Sequence, residues 1–110
     1  MSSAHKNLSV YNTKDIPDVS EKRFALVVAE WNEEVTEALA QGVYDTLIKY
    51  GVKEENILKT YVPGSYELSY GSQVFARRDD IDAVIAIGCV IQGETKHNDY
   101  INHAVAQGLT

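Results

Sequence analysis

Apolar residues fall into three short, nearly unbroken runs, each followed by a longer stretch in which they recur at helical spacing. The first run, RFALVVA at 23–29, reads as a strand and passes through Glu30, Trp31 and Asn32 into a predicted helix from Glu33. There Val35, Leu39, Val43, Thr46, Leu47 and Tyr50 form one face. Asn32 suits an N-cap, Glu33 and Glu34 suit the positive end of the helix dipole, and Gly51 suits the position just past the last turn. The second run, ILKTYV at 57–62, closes at Pro63 and Gly64. A helix from about Ser65 then carries Leu68, Gly71, Ser72 and Phe75 on one face and ends near Arg77 and Arg78. The third run, at 83–87, has the pattern of a strand buried on both faces. Beyond Gly88 and Gly93, a third helical spacing links Ile101, Ala104, Val105, Gly108 and Leu109.

The order β-α-β-α-β-α predicts one parallel sheet with crossover helices, a three-layer α/β/α arrangement. Residues 1–22 are polar and weakly patterned, with turn signals at Asn12-Thr13 and around Pro17. They read either as a flexible arm or as an extended segment that docks on a neighbouring subunit through Leu8, Val10, Tyr11 and Ile16. The predicted division is therefore an arm at 1–22 and an α/β domain at 23–110.

Composition narrows the class. At 110 residues the chain makes one domain, and 45% hydrophobic residues with seven tyrosines argue against disorder. A net charge of −6 disfavours non-specific binding to nucleic acid or an anionic membrane. The lone cysteine, Cys89, excludes an intrachain disulfide and suits a reducing compartment. No apolar run approaches the ~18 residues of a membrane span, and the first twenty residues lack a signal-peptide core. Together these features lead us to expect a cytoplasmic domain.

In an open parallel sheet, ligands bind beyond the carboxyl ends of the strands. Three loops meet there: 30–32, 63–67 and 88–97. In the last, a buried strand, a glycine-containing loop and a helix start bring free N–H groups together, an arrangement suited to a small anion. Residues 88–95, GCVIQGET, share the glycine spacing of a nucleotide-binding P-loop, but Glu94 stands where the phosphate-binding lysine belongs and Lys96 is out of phase. A carboxylate there repels a triphosphate, which leaves a site for a smaller phosphate or polar group beside the titratable His97. Trp31 reads as a packing residue or as a ligand platform. Glu67 reads as a partner of the helix dipole or as a ligand contact.

Taken together, Trp31-Asn32, the VPGSYE of 62–67 and the GCVIQGETKH of 88–97 resemble 6,7-dimethyl-8-ribityllumazine synthase of riboflavin biosynthesis. The resemblance covers roughly residues 23–110 and implies a flavodoxin-like parallel sheet. It implies a transferase that condenses 5-amino-6-(ribitylamino)uracil with 3,4-dihydroxy-2-butanone 4-phosphate, releasing phosphate and water. Trp31 then matches the aromatic residue that stacks on the pyrimidine, with Asn32 beside it. Ser65, Tyr66 and Glu67 match the turn holding the ribityl chain, and Cys89, Val90 and Ile91 the strand-end backbone facing the pyrimidine edge. Gly93, Glu94 and Thr95 match the phosphate-binding turn, and His97 the histidine that transfers protons. An imidazole with an ordinary pKa near ~6.5 suits proton transfers near neutral pH.

The reaction involves no electron transfer and the sequence holds no metal-ligand cluster, so the expectation is neither cofactor nor metal. The family's sites lie between subunits of pentamers, which can assemble further into hollow icosahedral shells, so the expected partners are small substrates and further copies of the chain. Asn98 stands where the family commonly carries an aromatic residue. The family also continues through another strand and two helices, with a phosphate-holding arginine and an aromatic residue given to the neighbour, so the chain is expected to be C-terminally truncated. Two other readings compete: a non-catalytic assembly subunit or fragment, and a flavodoxin-like module that binds a flavin or a phosphate.

Overall fold

The structure is a computed structural model that describes residues 10–93 and 97–110. Its three strands, β1 (Phe24–Ala29), β2 (Ile57–Val62) and β3 (Ala83–Ile87), pair in parallel in the order β2-β1-β3. Phe24 stands opposite both Ile57 and Ala83, and Val28 opposite Tyr61 and Ile87, so the three carboxyl ends finish level.

The central position of β1 changes one expectation. Residues 25–29 of β1 are fully buried, whereas in β3 only Ile87 is buried and Val84, Ile85 and Ala86 are half-covered. A continuous apolar run at 83–87 predicted burial on both faces. Among the described residues β3 is instead an edge strand, and β1 is the strand sandwiched on both faces.

Alternate residues of β1 feed two cores. Leu26 and Val28 pack with Ile87 and with Ala40 of α1 (Glu33–Lys49) on one face. Val27 and Ala29 pack with Leu68 of α2 (Leu68–Ala76) on the other. The last helix, α3 (His97–Leu109), lies against α2 and the short 3₁₀ turn Ser65–Glu67. The layers are those of an α/β/α, flavodoxin-like fold.

Details of α1 depart from its periodicity. Val35 and Leu39, expected on the inner face, are 46% and 50% exposed, while the smaller Thr36 and Ala40 are buried. The first half of the helix turns its small residues toward β1, which permits close approach, and leaves Val35 and Leu39 outside, while Val43 and Leu47 pack against the core as expected. Its end behaves as expected. Gly51 adopts φ 95°, and the amides of Gly51 and Val52 donate to the carbonyls of Ile48 and Leu47, closing the helix in a Schellman motif.

The described part of the arm folds onto its own domain. Asn12 caps a turn at Thr13–Asp15 by accepting from the Lys14 amide, and the Tyr50 hydroxyl donates to that of Tyr11 over 2.9 Å. Ile16 and Val19 lie half-buried beside Phe24 and Leu47. At the amino ends of the strands, the Arg23 amide donates to the Asp82 carboxylate and the Asp82 amide to the Arg23 carbonyl, each over 2.8 Å.

Candidate active site

Each of the three loops leaves its strand by a different local device. After β1 the pairing with the second strand continues for two more bonds, from the Glu30 amide to the Val62 carbonyl and from the Trp31 amide to the Pro63 carbonyl. The chain then reverses at Asn32, the one non-glycine residue with positive φ among those described (φ 60°, ψ 48°). Asparagine tolerates the left-handed region better than most side chains. The expected N-cap is therefore met only in part. The Asn32 carbonyl accepts from the amides of Val35 and Thr36, but its side chain makes no capping bond. Its Nδ2 is buried without a hydrogen-bond partner among the described residues. Trp31, just before this reversal, keeps half its surface exposed.

After β2, Pro63 and Gly64 lead into the turn Ser65–Glu67, where the Glu67 amide donates to the Gly64 carbonyl over 3.2 Å. The expected helix thus starts three residues late, with a 3₁₀ turn in front of it. After β3, Gly88 and Cys89 continue along the edge of that turn, and the Ser65 hydroxyl donates to the Cys89 carbonyl over 3.3 Å.

These loops enclose a cavity of about 290 Å³ lined by Trp31, Ser65, Tyr66, Glu67, Cys89, Val90, Ile91 and His97, together with Gly64 and Ile101. The first eight were singled out from sequence. Asn32 does not line the cavity but forms the turn behind Trp31, and Gly93 is exposed outside the lining. Glu94 and Thr95 lie outside the described residues. Gly64 falls in the 63–67 loop expected at this edge, whereas Ile101 was not anticipated; its signal was an apolar residue one helical turn beyond His97.

The chemistry of this cavity is mixed. One wall offers an indole face and aliphatic side chains, another a carboxylate, and α3 contributes an imidazole from its first residue. The chain's three arginines are distant. Arg23 and Arg78 lie with Asp80 and Ile81 at the amino ends of the strands, and Arg77 follows α2 beside Arg78. The outer rim beyond Trp31 is acidic, with Glu30, Glu33, Glu34 and Glu37 around Tyr61. There the Lys59 ammonium, 2.8 Å from the Glu37 carboxylate, holds that carboxyl below its usual range. An aromatic face beside a carboxylate and an imidazole suits a planar polar ligand, and the acidic rim disfavours a polyanion.

The comparisons with known proteins agree. The family model described as 6,7-dimethyl-8-ribityllumazine synthase matches residues 21–110. A protein of that name from Cytophaga hutchinsonii is 54% identical over the whole chain, which spans 69% of that relative. Its counterparts from Parabacteroides distasonis and Porphyromonas gingivalis are 48% and 46% identical, again over the whole chain, which covers 69% and 68% of them. With the parallel sheet and the cavity at its carboxyl edge, these matches establish that the chain belongs to the 6,7-dimethyl-8-ribityllumazine synthase family.

Proposed function

We propose that this chain condenses 5-amino-6-(ribitylamino)uracil with 3,4-dihydroxy-2-butanone 4-phosphate to 6,7-dimethyl-8-ribityllumazine, acting as a transferase in riboflavin biosynthesis. The observation that carries this reading is the meeting of Trp31, the 65–67 turn, the 89–91 strand end and His97 in one cavity. In the proposed arrangement the Trp31 indole stacks on the pyrimidine, and the backbone of Cys89, Val90 and Ile91 meets its polar edge. The turn of Ser65, Tyr66 and Glu67 holds the ribityl chain, with the Glu67 carboxylate accepting hydroxyl protons. Gly93, Glu94 and Thr95 receive the phosphate ahead of α3, and Asn32 belongs to the turn that presents Trp31.

The reaction places a specific demand on His97. The 5-amino group attacks the ketone and a first water leaves to give an imine; phosphate is then eliminated, and the ribityl-bearing nitrogen closes the second ring on the remaining carbonyl with loss of a second water. Each step moves a proton to or from nitrogen, oxygen or carbon. A single imidazole at the edge of the cavity can accept and return those protons in turn. Holding both substrates in one pocket supplies much of the remaining acceleration.

We further propose an arm at 1–22 preceding a catalytic domain at 23–110, a cytoplasmic location, and self-association into pentamers or larger shells with sites between subunits. The exposed Val35, Leu39, Tyr66, Tyr70 and Tyr100 support the assembly, being large apolar or aromatic groups on the outer faces of α1, the 65–67 turn, α2 and α3. The test is to incubate the purified protein with both substrates, follow lumazine by its absorbance, and measure the assembled mass by native mass spectrometry. Product formation is expected from an oligomer. An oligomer without turnover would replace this reading by a non-catalytic assembly subunit, and a stable monomer would remove the intersubunit site.

A further inference from the structure

Two walls of the cavity meet with almost no space between them. Ser65 is only 8% exposed, and its hydroxyl proton is committed to the Cys89 carbonyl. This bond is possible because residue 88 is glycine. A Cβ built on Gly88 would lie 2.6 Å from the Ser65 Oγ and 2.7 Å from Cδ1 of the buried Leu68. Both obstructing atoms are side-chain ends, but Ser65 and Leu68 are 8% and 3% exposed and have little open space to turn into, so a side chain at 88 presses on the 65–67 turn and the first residue of α2 together.

From this geometry we propose that Ser65 and Gly88 are positioning residues that set the separation between the 65–67 turn and the 89–91 strand end. The proposal rests on the reaction assigned above. A pyrimidine carrying a ribityl chain is one rigidly connected ligand that spans both walls, so its affinity depends on their spacing. The phosphate-bearing ketone, received ahead of α3, depends on it far less. Ser65 thereby acts through its bond to Cys89 rather than by offering its own proton to the ribityl chain.

The test uses 6-(ribitylamino)uracil, the pyrimidine substrate without its reacting amine, titrated by calorimetry against wild type, Gly88→Ala, Ser65→Ala and the double variant. Hydrogen exchange at the Tyr66 and Glu67 amides is read in parallel. Gly88→Ala is expected to weaken the probe about 10-fold or more, since a displacement near 1 Å is costly for a positioned ligand. Ser65→Ala should weaken it less. The double variant should bind better than the product of the two single losses, because removing Oγ relieves the 2.6 Å contact. In turnover, KM for the pyrimidine should rise while KM for the phosphate substrate stays within about twofold.

If Gly88→Ala does not fold, Ser65→Ala carries the same comparison of the two KM values. Wild-type binding with unchanged affinity and exchange in both single variants would overturn the spacing role and leave the functional reading in place. A wild-type protein that ignores the probe, while Gly88→Ala still loosens the Tyr66 and Glu67 amides, would overturn the functional reading and keep the spacing role.

Discussion

The Trp31 amide donates to the Pro63 carbonyl over 3.0 Å. The parallel pairing of β1 and β2 therefore continues past the ends of both strands and ties the indole-bearing loop to the turn that leads to Glu67. The indole's backbone is anchored by the sheet, while its ring is left free to meet a ligand.

Trp31→Ala should therefore weaken binding of 6-(ribitylamino)uracil without unfolding the domain. Loss of one base-aromatic stack is worth about 1–3 kcal/mol, or roughly 5- to 150-fold in affinity. Calorimetric titration checks this, and unchanged affinity would make Trp31 a packing residue.

Glu67→Gln keeps the shape of the turn and removes the charge that accepts ribityl hydroxyls. A hydrogen bond to a charged group contributes roughly 1.5–3 kcal/mol, so KM for the pyrimidine should rise about 10- to 150-fold, with KM for the phosphate substrate unchanged. Equal increases in both would assign Glu67 a folding role.

His97→Ala should lower kcat by about 100- to 10,000-fold while largely sparing both KM values, because a proton shuttle acts chiefly in the transition state. Retained kcat would move proton transfer to another group.

At Asn32 the left-handed backbone decides which substitutions are tolerated. Asn32→Val should cost about 1–2 kcal/mol in urea unfolding, since a branched side chain is strained at φ 60°. Asn32→Gly should cost little, because glycine accepts this conformation. Equal losses from both would mean that the side-chain amide, not the backbone, matters here.

Asp82 ties β3 to β1 at the opposite end of the sheet. The Arg23 amide that donates to its carboxylate holds Asp82 below the usual carboxylate range, although partial burial opposes this and the Arg23 charge assists. A depressed folded value means that the contribution is present above the ordinary aspartate range and is lost as pH falls through the folded value. Asp82→Ala should lower the thermal midpoint at pH 7, and the gap should close as pH falls through the depressed folded value. A gap independent of pH would show that ionisation plays no part.

Much of this organisation is readable in the residues themselves. The runs at 57–62 and 83–87 become strands with those bounds, and the first differs only at Arg23, whose amide goes to Asp82 instead of a strand partner. Short β-branched runs bounded by turn residues leave few alternatives. Sheet order is less legible, since a run such as AVIAI looks the same in the centre or at an edge, and only the pairing shows that β3 has one neighbour among the described residues. The inner face of α1 was read correctly at Val43 and Leu47 but not in the first turns, where periodicity favours Val35 and Leu39 and the helix instead seats Thr36 and Ala40 against the sheet. The cavity was legible wherever a loop motif carried it. The contact between Ser65 and Gly88 joins positions far apart in the chain, and no local pattern announces it.

The placement of β1 between two later strands also has a consequence in time. Arg23, at its amino end, meets Asp82 fifty-nine positions further along the chain. At a synthesis rate of 5–20 residues per second, β1 leaves the ribosome roughly 3–12 s before its second partner exists. Throughout that interval this strand carries at least one unpaired backbone edge, so the newborn chain is most exposed to mispairing just where the finished fold is most deeply buried.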